Sequence, residues 1–110
     1  MMNDKFLSLL GMARKSGRLC LGHDAAVSSV VKNQAKLCVI SDEGSQRLKK
    51  EMAHACTYEG KNIPLLIVKY TVPELSNAIG SKAAVLTVTD EGFAKALEKR
   101  YDEISKLTEI

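Results

Sequence analysis

Lys36-Leu37-Cys38-Val39-Ile40-Ser41 is the stretch that decides the fold of this 110-residue chain. An apolar run that is rich in strand formers and bounded by polar residues predicts a β-strand covered on both faces. Such a strand has a neighbouring strand on either side and helices above and below it. The stretch is therefore predicted to be a central strand.

Three further apolar runs resemble it, at residues 19–21, 64–68 and 83–88. Apolar residues at helical spacing precede the first run, separate each run from the next and follow the last one. Helix-start signals stand at Asn3-Asp4, Gly22-His23-Asp24, Thr71 with Glu74, and Thr89-Asp90. The alternation predicts an α/β protein, a three-layer α/β/α sandwich with a small mixed sheet. It leaves the order of the strands open.

Length and composition predict one domain over residues 1–110, because the chain can enclose one ordinary core but is too short for two. The longest apolar stretches fall far below the roughly 20 residues of a membrane-spanning helix. No secretory signal is recognised at the N-terminus, which predicts cytoplasmic residence. Cys20, Cys38 and Cys56 match no zinc pattern and are interpreted as buried thiols.

The net charge of +3 is distributed unevenly along the chain. Residues 1–36 hold six basic and two acidic side chains, 6 − 2 = +4, whereas residues 71–110 hold five basic and seven acidic ones, 5 − 7 = −2. A polyanion-facing end would produce this asymmetry, and so would an ordinary solvated surface.

Catalysis, cofactors and metals are not predicted. His23 and His54 are the two histidines, and neither has a nucleophile and an orienting partner that the sequence reveals. The single Gly22 at a strand-to-helix turn is neither a dinucleotide-binding nor a Walker motif. Asp42-Glu43 follows a central strand and is interpreted as a solvated turn and helix cap.

A binding surface at Gly22 remains. A glycine that begins a helix exposes free backbone N–H groups and the positive end of the helix dipole, so a phosphate can approach closely. Arg14, Lys15 and Arg18 lie a few residues upstream and are expected to gather at the same place, with Lys36 as a further cation. The alternative is that Gly22 only makes the turn and that these cations only solubilise the protein. With 5% aromatic residues the chain lacks a stacking platform for single-stranded bases, which favours a structured RNA.

Several segments resemble the bacterial YlxQ-like branch of the L-seven-Ae ribosomal protein family. They are Leu9 to Gly22, with L-G-M-A-R-K-S-G-R as their most specific part, Ala35 to Leu37, Asp42-Glu43, Ala78 to Gly80, and Val85 to Ala94 (V-L-T-V-T-D-E-G-F-A). The resemblance covers nearly the whole chain. It implies the α/β/α sandwich and binding of structured RNA, commonly at kink-turns, with an association with the ribosome or translation machinery.

The resemblance also implies where RNA binds: at the start of the second helix and at the loop before the last strand. The corresponding residues here are Gly22, His23, Asp24, Ala25 and Ser28, and Ile79, Gly80, Ser81 and Lys82. Strong kink-turn binders of the family carry Asn-Glu and a following Lys where this chain has Asp24, Ala25 and Ser28. The aspartate accepts a hydrogen bond but cannot donate one as an amide does.

Two alternatives to RNA binding stay open at this point. A protein-interaction adaptor on the same fold is favoured by the missing Asn-Glu-Lys set, because fold does not dictate function. A small hydrolase or transferase would need His23 or His54 in a cleft beside a carboxylate or a nucleophile.

Overall fold

A computed structural model of the chain describes the backbone of residues 4–108 and the side chains of residues 4–103. The helices are α1 (Lys5–Lys15), α2 (His23–Val31), α3 (Gln46–Thr57), α4 (Val72–Ile79) and α5 (Glu91–Thr108), with a 3₁₀ turn at Tyr58–Gly60 after α3. The strands are β1 (Leu19–Leu21), β2 (Leu37–Ser41), β3 (Leu65–Val68) and β4 (Val85–Val88). The alternation of strands and helices is the predicted one.

The four strands form one mixed sheet in the order β1-β4-β2-β3. Strand β4 is antiparallel to both β1 and β2, and β2 is parallel to β3. All five residues of β2 are buried, so the prediction of a central strand is confirmed. Because β4 is antiparallel to its neighbours, its first residue lies at the end of the sheet where β1 and β2 finish.

Strand β3 differs from its sequence pattern. Its apolar run predicts a strand covered on both faces, but β3 is an edge strand and the side chain of Ile67 is 39% exposed. An apolar run reports the composition of a strand and not its place in the sheet. The Tyr101 hydroxyl donates a hydrogen bond to the Ile67 carbonyl at 3.3 Å. This contact with α5 satisfies one backbone group near the edge.

Helices cover both faces of the sheet. Alternate β2 side chains point to opposite faces and therefore join two different cores. Leu37 and Val39 join a core formed with α1, α4 and α5. Cys38 and Ile40 join a second core formed with α2 and α3. The predicted α/β/α sandwich with a small mixed sheet is therefore confirmed.

The cysteines follow their predicted burial in two of three positions. Cys38 and Cys56 are buried on the α2–α3 side, and contact with the Cys56 thiol together with burial raises the pKa of Cys38. Cys20 is only half-buried, since β1 is the other edge strand. In the described part of the chain, no helix is both long and apolar enough to cross a membrane.

Side-chain caps fix the ends of several helices. Asp4 accepts a hydrogen bond from the Leu7 N–H at the start of α1, and Thr71 with Glu74 forms the predicted capping box of α4. The cap interpretation of Asp42-Glu43 needs correction, because Ser45 caps α3. The Glu43 carboxylate instead accepts from the Val72 N–H at 2.8 Å, so it stabilises the start of α4 from another element.

Candidate nucleic-acid interface

The turn from β1 into α2 is made by Gly22. Its φ of 88° and ψ of 167° lie in a region that side chains rarely enter, which explains the glycine. The Gly22 N–H donates to the Val85 carbonyl at 2.9 Å and ties the turn to the start of β4. A Cβ added at Gly22 would meet nothing within 4 Å, so the space in front of the turn is open.

Helix α2 begins without a side-chain cap at Gly22. Within the described residues, the backbone N–H groups of His23, Asp24 and Ala25 have no hydrogen-bond acceptor. Unpaired N–H groups at a helix start, together with the dipole, attract anions and hydrogen-bond acceptors. Ser28 lies one turn further along α2 and is half-buried, and its carbonyl accepts from the Lys32 N–H.

The loop between α4 and β4 lies at the same end of the sheet. Gly80 ends α4 in the left-handed conformation, with φ 74°, and the N–H groups of Gly80 and Ser81 both donate to the Ser76 carbonyl. The loop then runs directly into Val85, the partner of Gly22. The structure thus brings together the two segments that the resemblance implicates.

Within that loop, Gly80, Ser81 and Lys82 are exposed, but Ile79 is not. Its side chain is 3% exposed and packs in the core with Leu75. The expectation that Ile79 contributes to a binding surface is therefore wrong for its side chain. Burying this side chain holds the end of α4 in place.

Arg14 connects the end of α1 to this loop. Its Nε donates to the Ile79 carbonyl at 3.3 Å, next to the negative end of the α4 dipole. The two helices approach closely here, since a Cβ on Gly11 would lie 3.1 Å from the Ala78 carbonyl oxygen. Lys15 is the next residue and is exposed. Arg14 and the 79–82 loop are neighbours, as the binding hypothesis requires.

Arg18 and Lys36 are not at the Gly22 end of the sheet, which corrects the expectation that the cations gather there. The Arg18 carbonyl accepts from the Thr89 N–H at 2.9 Å, and the Lys36 N–H donates to the Val88 carbonyl at 2.7 Å. Both residues therefore flank the end of β4, whereas Gly22 flanks its start. Because β1 is extended, four residues place Arg18 about 13 Å from Gly22.

Acidic groups lie beside Gly22 instead. The Nδ1 of His23 is 3.0 Å from the Asp24 carboxylate, and its Nε2 is 2.7 Å from the Glu51 carboxylate on α3. Two carboxylates can only accept, so both ring nitrogens donate when His23 is a cation. The Asp24 and Glu51 contacts raise the pKa of His23, and hydrogen bonds from Arg47 and His23 lower the pKa of Glu51.

This His23 cluster balances two carboxylates against two cations when His23 is protonated. Its imidazole is 45% exposed on the surface, and its hydrogen-bond partners are carboxylates. The sequence gives no signal for the cluster, because Glu51 lies 28 residues from His23. His54 is elsewhere on α3, where it is exposed and packs against Tyr58 with the ring centroids 5.2 Å apart and the ring planes tilted by 44°.

The protein is a small α/β/α sandwich. A mixed four-stranded sheet lies between helix layers, and glycines make the turns at Gly22 and Gly80. Residues 4–98 match the model of the Ribosomal protein L7Ae/L30e/S12e/Gadd45 family. The chain belongs to this family, and the resemblance seen in its sequence is confirmed.

Two curated relatives are similar over most of the chain. The RNA-binding protein YlxQ of Enterococcus faecium is 25% identical over 91 residues, which are 83% of this chain and 85% of that protein. The RNA-binding protein YlxQ of Bacillus subtilis (strain 168) is 29% identical over 99 residues, which are 89% of this chain and 96% of that protein.

Solved structures agree on the fold. A protein of unknown function from Bacillus halodurans C is 31% identical, with a TM-score of 0.85 over 91% of this chain and 99% of that one. The Giardia lamblia 15.5kD RNA binding protein is 16% identical, with a TM-score of 0.71 over 97% of this chain and 93% of that one. At that identity the second comparison concerns the fold alone.

Proposed function

We propose that this protein binds structured RNA at the Gly22 end of its sheet. The observation that carries the proposal is the open start of α2, where a bare glycine and unpaired N–H groups lie at the same end of the sheet as the 79–82 loop. The names of the YlxQ relatives and the family support RNA as the partner.

In this proposal, the phosphate backbone approaches Gly22, and the free N–H groups of α2 donate to its oxygens. Arg14, Lys15 and Lys82 supply positive charge around the 79–82 loop. Asp24 can accept a hydrogen bond from a guanine amino group, which is its contribution to base recognition. A kinked RNA element fits better than a single strand because the chain has few aromatic residues.

The proposal also covers the extent of the domain, the cellular location and the class of RNA. We infer one RNA-binding domain over residues 1–110, acting in the cytoplasm on ribosomal or other non-coding RNA. Catalysis forms no part of this function, since the family and the relatives are described as ribosomal or RNA-binding proteins and not as enzymes.

A second candidate function is a protein-interaction adaptor with weak RNA binding. It is favoured by the acidic side chains of Asp24 and Glu51 beside Gly22, which repel phosphate whenever His23 is neutral. It is also favoured by the placement of Arg18 and Lys36 away from that turn. Cations divided between the two ends of the sheet bind a polyanion at Gly22 less well than one basic patch there would.

Binding to a two-stem RNA with a kinking bulge would test the proposal, with a bulge-free duplex of equal length as comparison. Lys15→Gln with Lys82→Gln removes two exposed cations, of which Lys15 lines the same surface hollow as Ala78 and Lys82 lies in the loop. Lys50→Gln with Lys99→Gln removes two exposed cations on α3 and α5. The first pair should lower the slope of log affinity against log salt by up to about 1.8, from about 0.9 per phosphate contact. The second pair should leave it unchanged.

Crosslinking in the native cytoplasm, followed by sequencing of the captured RNA, identifies the ligand. Enrichment of one helical junction agrees with the proposal. Recovery of background RNA only, together with salt-insensitive binding in vitro, would overturn it in favour of the adaptor.

A further inference from the structure

We propose that Arg18, Lys32 and Lys36 form a second RNA-backbone contact, the far-end patch, which binds a different stem of the RNA held at the Gly22 end. This inference rests on the proposed function and adds a second site to it. It follows from the positions of Arg18 and Lys36, two cations that were expected at Gly22 but lie at the opposite end of the sheet.

The sheet order brings the three side chains together. Arg18 precedes β1 and Lys36 precedes β2, and both bond to the end of β4, which lies between those strands. Two interstrand spacings separate them by about 10 Å. Lys32 is the C-cap of α2. The N–H of Ala35 donates to the Ser29 carbonyl, so a tight turn separates Lys32 from Lys36.

The far-end patch has charge available for an external anion. All three side chains are exposed, and in the described part of the chain none of them has a carboxylate within 4 Å or donates a hydrogen bond. The acidic residues of the same region already have partners. Asp90 accepts from the Phe93 N–H, and Glu91 lies 3.5 Å from Lys95.

The Gly22 end differs in this respect. There the cations of Arg47 and His23 are bound to Glu51, so they are only partly available to phosphate. Arg14, Lys15 and Lys82 around the 79–82 loop then supply the cations of this end, and an RNA bound there gains further charge neutralisation from the far-end patch. The far-end patch lies about 13 Å away along β1, within reach of a folded RNA with two stems.

The chemistry of the far-end patch favours RNA over an acidic protein. Protein interfaces have cores that are depleted in charge and enriched in aromatic side chains. Here the exposed large apolar neighbour is Val31, at 64%, and single exposed apolar residues are common on protein surfaces. Three long cationic side chains with free donors suit the regularly spaced oxygens of a phosphate backbone.

The test uses a two-stem RNA with a kinking bulge and versions in which either stem is cut short. Arg18→Gln, Lys32→Gln and Lys36→Gln are combined in one variant, and Lys5→Gln, Lys50→Gln and Lys99→Gln in a control with the same loss of charge. Removing three phosphate contacts lowers the salt slope by up to about 2.7. Between 50 and 200 mM salt, the wild type then loses about 40-fold more affinity than the far-end variant.

The stem versions show which contact is lost. Shortening one particular stem should lower the RNA affinity of the wild type and of the control equally. The RNA affinity of the far-end variant should stay unchanged, because that variant has already lost the contact with this stem. Equal weakening of all three proteins overturns the far-end patch while RNA binding at Gly22 stands. If the wild type binds none of these RNAs, the proposed function itself fails.

Two further results complete the test. Urea unfolding of the far-end variant should give the wild-type midpoint, since exposed charges contribute little to stability. A far-end variant that keeps the wild-type salt slope but loses an acidic protein partner would overturn the inference, because that result assigns the patch to protein binding.

Discussion

Replacing Gly22 by alanine isolates the cost of one backbone conformation. The residue has φ 88° and ψ 167°, a combination adopted almost only by glycine. The added methyl group would meet nothing within 4 Å, so neither a clash nor new packing contributes. The whole effect is therefore conformational, about 1–3 kcal/mol of lost stability.

Urea unfolding measures this loss directly. With a slope of about 2 kcal/mol per molar urea, a loss of about 2 kcal/mol moves the midpoint down by about 1 M while the slope stays constant. Gly80 provides the matched comparison, because its φ of 74° and ψ of 17° belong to the left-handed region that asparagine tolerates. Gly80→Asn should cost under about 1 kcal/mol, whereas Gly22→Asn should cost as much as Gly22→Ala.

Two outcomes would refute this reasoning. A Gly22→Ala protein that unfolds at the wild-type midpoint would mean that the turn adopts an ordinary conformation. Equal losses for asparagine at Gly22 and Gly80 would mean that the two glycines are not conformationally different.

The buried hydroxyl pair of Ser29 and Thr87, 2.6 Å apart, predicts unequal costs. Ser29→Ala leaves the Thr87 hydroxyl without its partner and should cost about 1–3 kcal/mol in urea unfolding, whereas Thr87→Val should cost about 1 kcal/mol. Because the folded-state pKa of His23 is raised, its contribution to stability is complete below its unfolded pKa and disappears as pH rises through the folded value. Unfolding measured from pH 5.5 to pH 9 should therefore show a fall that His23→Gln abolishes. Asp4→Ala removes the cap of α1 and should lower stability by about 1 kcal/mol in the same assay.

The first two of these predictions each have a contradicting result. The Ser29 hydroxyl also donates to the Ala26 carbonyl at 2.7 Å and so keeps a partner in Thr87→Val, and a larger cost for Thr87→Val than for Ser29→Ala would contradict this prediction. A pH dependence that survives in His23→Gln would assign it to another group. Glu51 provides a control of opposite sign, since its lowered pKa adds stability above its unfolded pKa that is lost as pH falls.

Much of the fold could be predicted from sequence because its signals are local. Apolar spacing distinguishes strands from helices, and the cap of α1 and the capping box of α4 depend on residues three positions apart. The run at residues 36–41 identified the central strand. The turn at Gly22 was also predictable, because a glycine between a strand and a helix is a signal confined to a few residues.

The candidate site was predictable only in part. The start of α2 was predicted from the glycine that begins a helix, the 79–82 loop came from the family resemblance, and the fold places them at one end of the sheet. The link between His23 and Glu51 had no signal in the sequence, since it joins two helices. Nor did the cap that Glu43 provides for α4, which depends on how two loops meet.

The sequence by itself determined which segments are strands and helices and which side chains face a core, because hydrogen bonding and apolar periodicity act over a few residues. Only the tertiary structure decided the strand order, the exposure of β3 and the separation of Arg18 from Gly22. The physical reason is that two residues close in sequence lie far apart in space when an extended strand separates them. Three residues of β1 carry the chain from one end of the sheet to the other, and long-range packing decides what it meets there.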